Sequence, residues 1–515
     1  MSSNPLLRSR HSPRQALDQV ALSLMAGLVV VAVLLVVSGD HATARVQEFS
    51  WQERTVGAEN GAFILSFSRP MDTASVEANL AITPLIPGRI SWAGRRMAYT
   101  LDVPVPYGET FEVGLPDAQD RFSGEDADTR FEAFNGTFRS RDRAMAYIGT
   151  QGEEKDRLVL VNFTREEQTL ILTPSDLKVL NFEPYPLGDC LLFSAVEADA
   201  PAASNLAPAL YAVATGLLAN PPEALQGQEN EPLMVTAEAG TLTPILGSDT
   251  YQNLAFDLSP DGRTIVVQRV NQSDPADFGP WILREDEDPR PLQTEPGGEF
   301  LIAPDNQTLL MLQGQGTAVI PLAAASEESE DAIAANQPLD FLPEFGRVFD
   351  ISSDGSAAAM VDFNQNDPER RFTESLVVVT NQGEEQELLN VTGAILSAQF
   401  SPTNQTVYVL ASEVLPGEAY QEQPFLEAIN LQTQESLRLL SFPPMSRVSV
   451  SVSPDGLDAL IEVSAPEGAD STAFSVQTLV LSLFNTPQES SAGIFAAPQL
   501  PELLPHTGLS PTWLP

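Results

Sequence analysis

One short string limits the folds open to this chain: an apolar or aromatic residue, then Ser-Pro-Asp-Gly or a variant, then an apolar strand. It is clearest at Phe256-Asp257-Leu258-Ser259-Pro260-Asp261-Gly262-Arg263-Thr264-Ile265-Val266-Val267. Variants follow at Ile302-Ala303-Pro304-Asp305-Asn306, Ile351-Ser352-Ser353-Asp354-Gly355, Phe400-Ser401-Pro402-Thr403-Asn404 and Val452-Ser453-Pro454-Asp455-Gly456. Two worn copies stand earlier, Phe138-Arg139-Ser140-Arg141-Asp142 and Phe182 to Gly188. The proline position falls at 141, 186, 260, 304, 353, 402 and 454, an even ruler except across an Ala/Pro/Glu-rich insertion around 197–235. Proline pre-sets φ at the first turn position, and Asp-Gly or Thr-Asn tolerates the left-handed backbone that closes a tight hairpin. Further strands follow in each unit, as at Leu376-Val377-Val378-Val379 and Glu387-Leu388-Leu389. Three or four strands per unit cannot bury both faces of a sheet alone, so the array must close into a ring of blades. Seven blades are expected, with six and eight left open by the worn copies.

This turn and its spacing resemble the TolB-like and WD40-like propeller repeats over roughly residues 138–487, although the Trp-Asp dipeptide of the WD40 repeats is absent. The resemblance implies a β-propeller that offers a broad face and a channel mouth to partners. It does not itself imply a reaction.

The stretch before the repeats is also β-rich. Phe63-Ile64-Leu65-Ser66-Phe67, Ile90-Ser91-Trp92, Met97-Ala98-Tyr99-Thr100-Leu101 and Thr110-Phe111-Glu112-Val113-Gly114-Leu115 read as short strands separated by turn residues. That spacing suggests a β-sandwich of immunoglobulin type. The runs FILSFSRPMD, SVEANLAITP, ISWAGRRMAYTL and PYGETFEVGL resemble the bacterial Ig-like domain of surface-layer and other envelope proteins. That resemblance implies a spacer without catalytic machinery, and it makes Pro70, Met71 and Asp72 a structural turn. The expected order is therefore an all-β chain, with an Ig-like sandwich over 46–138, a propeller over 139–487 and a Pro-rich tail over 488–515. The tail is expected to lie on the ring or hang free.

Val20 to Val37 reads VALSLMAGLVVVAVLLVV, without a charge. As a helix it would span about 27 Å, close to a hydrocarbon core of about 30 Å. Arg8, Arg10 and Arg14 precede it, so the expectation is a cytoplasmic tail over 1–19, a transmembrane helix over 20–38 in contact with the lipid bilayer, and a single-pass protein whose bulk is periplasmic or extracellular in a bacterium. A cleaved signal peptide ending near Ala42-Thr43-Ala44 is the competing reading.

Charge excludes one class of partner. The chain carries 70 acidic and 27 basic side chains, a net charge of −43, which repels phosphate backbones; no nucleic acid is expected as a partner. The histidines are His11, His41 and His506, so a Ser-His-Asp or Cys-His hydrolase has no general base within the repeats. The single cysteine, Cys190, lies in the apolar run Cys190-Leu191-Leu192-Phe193 and reads as buried and inert. Asp362-Phe363-Asn364-Gln365-Asn366-Asp367 begins like a calcium loop but lacks the glycine and glutamate such a loop needs, so it reads as a polar hairpin. Arg284-Glu285-Asp286-Glu287-Asp288 reads as a solvated acidic tip. Asn-x-Ser/Thr sequons stand at Asn135, Asn162, Asn271, Asn306, Asn390 and Asn404, with chance occurrence the default. No nucleotide-binding fingerprint appears.

These observations assign no catalytic, cofactor-binding or metal-binding residue and call for no cofactor. Two classes of function follow. One is a non-enzymatic binding platform for an envelope protein or glycan partner. The other is an exported carboxylate-dependent hydrolase of glycan or peptide, with its site in the propeller channel. Two or more acidic side chains converging in a concave, desolvated pocket would favour the second.

Overall fold

The computed structural model describes residue 20 and residues 23–31, 43–121, 131–199, 207–217, 237–285, 287–292, 294–295, 297–314, 316–322, 340–342, 345–417, 419–466, 474–483 and 500–515. Those residues form nine four-stranded sheets. Two belong to the N-terminal region and seven to the repeats.

The N-terminal pair is a sandwich. One sheet runs in the order Val46–Phe49, Ala62–Phe67, Arg96–Leu101, Gly88–Ala93; the other runs Thr55–Val56, Phe134–Ser140, Thr110–Leu115, Ala81–Thr83. Along Ala62–Phe67 every second residue is buried, as a half-covered strand requires. The inward residues meet in one aromatic core, where Trp51 and Phe138 stand 4.9 Å apart edge to face and Phe63 stacks on Tyr99 at 5.1 Å.

The seven repeat sheets each begin with an inner strand that runs into the turn. In blades 2 to 7 these are Leu177–Pro184, Tyr251–Leu258, Phe300–Ile302, Val348–Ile351, Ile395–Phe400 and Arg447–Val452. Blade 1 differs. Its sheet contains Ala144–Gly149, Leu158–Asn162 and Gln168–Ile171, and its inner strand is Gly508–Trp513 from the far end of the sequence. The ring is thus closed by pairing the last strand with the first repeat strand.

Packing follows the same circuit. Leu160 and Phe193 share one buried cluster between blades 1 and 2, Leu192 and Val267 another between 2 and 3, and Val266 and Met311 a third between 3 and 4. Val361 and Val409 share a cluster between 5 and 6, Leu426 and Ile461 one between 6 and 7, and Leu460, Tyr147 and Trp513 one between 7 and 1. Between blades 4 and 5 no hydrophobic cluster spans both sheets among the described residues; Thr317 Oγ1 donating to Gly346 O and an Arg347–Glu299 pair join them instead.

The turn chemistry is more specific than proline and glycine alone. Gly188, Gly262, Gly355 and Gly456 have φ near +70°, and Asn306 and Asn404 fill the same left-handed position at +59° and +55°. Each serine then holds the turn from inside. Ser259 Oγ donates to Asp261 and accepts the N–H of Thr264 at 2.9 Å, and Ser352 and Ser453 repeat both bonds. Serine suits the position because its hydroxyl donates and accepts at once, and in blade 4, where Ala303 stands there, Asp305 takes the N–H of Thr308 at 2.9 Å instead.

Three expectations are corrected. Among the described residues no helix is long and apolar enough to cross a membrane. Of the expected span at 20–38, Val20 and residues 23–31 are described, as helix, and a single-pass membrane protein is not supported. The expected C-terminal tail carries Glu502–Leu503, the outer strand of blade 7, and Gly508–Trp513. Its apolar residues Trp513 and Leu514 are buried in the ring. Finally, the worn copy at Phe138 to Asp142 is no blade turn. Phe134–Ser140 is a sandwich strand, and the residues after it are the junction.

That junction is densely paired. Arg141 bonds Glu59 of the sandwich and donates to Pro186 O of the blade 2 turn at 3.1 Å. Arg143 pairs with Asp458 at 2.6 Å, and Tyr107 N donates to Asp455 of the blade 7 turn at 3.0 Å. The sandwich therefore sits on the face that carries the Ser-Pro-Asp-Gly turns.

If the last strand closes the ring, Trp513→Ala should lower the unfolding free energy by about 3–5 kcal/mol in urea melts. Leu509→Ala, on the same strand but 40% exposed, should change it by about 0.5 kcal/mol or less.

Candidate functional site at the channel mouth

The residue just before the last residue of each inner strand forms a ring of its own. In blades 1 to 7 it is Thr512, Glu183, Asp257, Leu301, Asp350, Gln399 and Ser451. Most of these side chains reach across to the following blade and accept the backbone N–H of its last inner-strand residue. Glu183 takes Leu258 N at 3.2 Å, Asp257 takes Ile302 N at 2.6 Å and Asp350 takes Phe400 N at 2.8 Å. Gln399 takes Val452 N at 3.0 Å, and Ser451 Oγ takes Trp513 N at 3.3 Å. The two gaps have plain causes. Leu301 has no acceptor, so Ile351 N is met by its neighbour Asp350 Oδ1 instead. Blade 2 offers Pro184 at this position, which has no N–H to give.

Three of the seven are carboxylates, and they border one cavity. Glu183, Asp257 and Asp350 line a space of ≈ 430 Å³ beneath the sandwich, whose Glu59 and Tyr107 form part of its wall. A neighbouring space of ≈ 460 Å³ continues past Asp350 to Gln399, Ser451 and Thr512. Burial pushes all three carboxyl groups above the usual carboxylate range. Glu183 is raised further by the charge of Asp257, and the N–H of Leu258 only partly offsets this. Burial likewise raises Asp257 against the N–H bonds from Ile302 and Leu258. Asp350 is pushed up to about 6, again by burial, against the N–H groups of Phe400 and Ile351.

Farther back, several inner strands expose single apolar residues. Blades 2, 3, 5 and 6 each carry a one-residue bulge there, and the extra residues are Leu180, Leu254, Phe349 and Leu396. Bulges re-aim side chains. Here the three leucines are left 37–53% exposed on the innermost strand, and Leu509 of blade 1, beside its own bulge, is 40% exposed.

The residues singled out in the sequence fall elsewhere. Cys190 is buried beside the blade 2 turn, and burial pushes its thiol up, away from nucleophilic use. The Asp362 loop is tied by its own bonds: Asp362 accepts Asn364 N at 2.8 Å, and the Asn364 amide donates to Thr373 and Ser375. No group of three or more His, Cys, Asp or Glu able to hold a metal occurs among the described residues. The acidic tip includes Asp286, which lies outside the described residues, as do His11 and His41. His506 lies next to Tyr147, 6.2 Å between rings. The amides of Asn162, Asn271, Asn306, Asn390 and Asn404 all donate to neighbours within the fold. The acceptor ring was missed. Its signal is a polar residue one place inside each strand end, as in Asp257-Leu258-Ser259 and Gln399-Phe400-Ser401.

No family model matches this chain, and no curated protein matches it. Among solved structures it is similar to TolB from Acinetobacter baumannii, with 13% identity over 70% of this chain and 79% of that one and a TM-score of 0.37. It is also similar to an oligogalacturonate lyase in complex with manganese, at 12% identity over 59% and 79% of the two chains with a TM-score of 0.41. A puromycin hydrolase matches at 16% identity over 82% of this chain and 60% of that one, with a TM-score of 0.39. These neighbours include TolB-like propellers and enzymes, and at such identities and scores they decide no function. The propeller itself rests on the strand pairing above.

Raised carboxyl groups make stability depend on pH with a definite sign. The folded state keeps protons that the unfolded chain has already released, so stability is fullest below the ordinary carboxylate range and is lost as pH rises through about 6. Melting temperature should therefore fall between pH 4 and pH 7, and Asp350→Asn, which keeps an oxygen acceptor, should flatten part of that fall. An unchanged slope in the variant would count against a desolvated Asp350.

Proposed function

We propose that this chain is a non-catalytic binding protein. The propeller offers its channel, and the face opposite the sandwich, to a protein or glycan partner. The sandwich, read as the bacterial Ig-like type, acts as a spacer fixed over the turn face. One observation carries this reading: the acidic side chains that come together in the channel are committed to holding neighbouring blades. Asp350 uses both oxygens on backbone N–H groups, and Glu183 and Asp257 each accept one from the next blade. A general acid or nucleophile needs a free oxygen aimed at substrate, and Asp350 has none to spare.

The second reading, a carboxylate-dependent hydrolase, keeps a specific observation in its favour. Three desolvated carboxyl groups share one cavity wall, which is the convergence that chemistry requires. The two readings separate in one experiment. The chain and its Asp257→Asn/Asp350→Asn form are incubated with a panel of β-linked and uronic-acid glycans and of peptides, and reducing ends or free amines are counted. The binding reading expects no turnover that depends on either carboxylate. Turnover by the native chain, lost by at least about a hundredfold in the folded double variant, would replace it with the hydrolase reading.

A further inference from the structure

Blade 4 is tied to blade 3 far better than to blade 5. In each of the other six blades the strand beside the inner one has three or more consecutive buried residues, as a sheet covered on both faces requires. In blade 4 that strand is Thr308–Gln313, and its burial alternates. Leu309 and Met311 are fully buried, in the cluster that holds Val266 of blade 3. Leu310 and Leu312 point the other way, toward blade 5, and stay partly exposed. Val319 on the next strand does the same, on the side where Thr317 reaches blade 5. Blade 5 returns little: Met360, Val377 and Val379 on its facing side share a cluster with Phe345 from its own lead-in segment, and no blade 4 residue joins it.

The polar ties of the neighbouring seams are missing here too. Leu301 offers no acceptor to the last inner-strand N–H of blade 5, which Asp350 meets from within the same blade. In the turns, Asn306 accepts Asp261 N of blade 3 at 2.9 Å, and Asn404 accepts Ser353 N of blade 5 at 3.2 Å. Blade 5 carries Gly355 at that turn position, with no side chain to reach back to blade 4. Thr317 Oγ1 donates to Gly346 O at 2.5 Å, while the Arg347–Glu299 pair lies 43% and 58% exposed, where it adds little. The seam ends in the channel-mouth cavity of ≈ 430 Å³, with Leu301, Ile302 and Pro304 on one side and Asp350 and Ile351 on the other. Ala58, Glu59 and Tyr107 of the sandwich line the same cavity, so parting blades 4 and 5 opens it from the flank.

We propose that the ring parts at the interface of blades 4 and 5, and that this seam is a side entrance to the channel-mouth cavity. Local opening costs least where few buried contacts and few bonds cross. Such an entrance serves a cavity that binds its partner and one that cleaves it alike.

The test labels buried thiols in the full chain with a maleimide. Met360→Cys places one on the blade 5 side of the seam, where Met360 is 0% exposed. The native Cys190, 1% exposed in the cluster between blades 2 and 3, is the internal reference. Under native conditions the thiol at 360 should label about tenfold faster than Cys190 or more, with a weaker dependence on urea, because parting a seam exposes less surface than unfolding. Thr317→Val removes a bond across the seam and should speed labelling at 360 about fivefold while Cys190 keeps its rate. Ile302→Cys, on the cavity wall where Ile302 is 3% exposed, should show the same acceleration. Val377→Cys, on the same face as Met360, takes its place if that variant melts early. Equal labelling of the seam thiol and Cys190 would mean that both are reached only by global unfolding, and would overturn the proposal. A thiol at 302 indifferent to Thr317→Val would overturn the entrance.

Discussion

A ring of sheets is only as closed as its interfaces, and here the recurring bond across them is a side-chain acceptor on one blade taking a backbone N–H of the next. The inner strand is the edge of its sheet, and its outward N–H groups have no ladder partner there. Left unmet in a desolvated wall, each would cost about 1–3 kcal/mol. Glu183, Asp257, Asp350, Gln399 and Ser451 remove that cost at five interfaces while fixing how far each blade turns against the next. The apolar clusters between sheets supply most of the burial energy but little direction. The acceptor ring supplies direction.

The same logic locates the seam. Leu301 cannot accept, and between blades 4 and 5 the described residues show no apolar cluster spanning both sheets. Blade 4 also has the shortest inner strand, Phe300–Ile302. Ring closure at blade 1 is the opposite case. Gly508–Trp513 joins the two ends of the repeat array, Trp513 is buried, and the Arg143 guanidinium lies 5.0 Å over its ring. Closing the ring with a strand from the far end turns a string of near-neighbour contacts into one cooperative unit.

Much of the fold was legible because its signals are local. The full Ser-Pro-Asp-Gly turn combines proline, a left-handed position and a two-way hydroxyl within five residues, and each leaves a letter in the sequence. The sandwich strands show themselves by alternation, as in Ala62–Phe67. Three features were not legible, each for a physical reason. The fourth strand of blade 1 comes from residues some 360 positions away, and no local pattern reports a pairing of that range. A run of Pro, Ser and Ala looks like a tail because composition reports propensity, while burial of Trp513 and Leu514 is a tertiary event. The greasy stretch near residue 20 has the composition of a spanning helix, yet among the described residues no helix is long and apolar enough to cross a membrane.

The carboxylates at the mouth are not the cheapest way to make the bond they make. Gln399 shows that a neutral amide reaches the next blade equally well, and Ser451 shows that a hydroxyl can. An ionised carboxyl in the same wall strengthens its N–H bond but must give up water to do so, and the upward shifts of Glu183, Asp257 and Asp350 report that desolvation wins. Two of them also repel each other, since the charge on Asp257 raises Glu183. A sequence selected for a stable ring alone would have no physical reason to place three acids here. Departures from the locally cheapest choice concentrate where a protein meets something else. By that argument the three acids, although each holds a neighbouring blade, also bear on the proposal that the channel they border is offered to a partner.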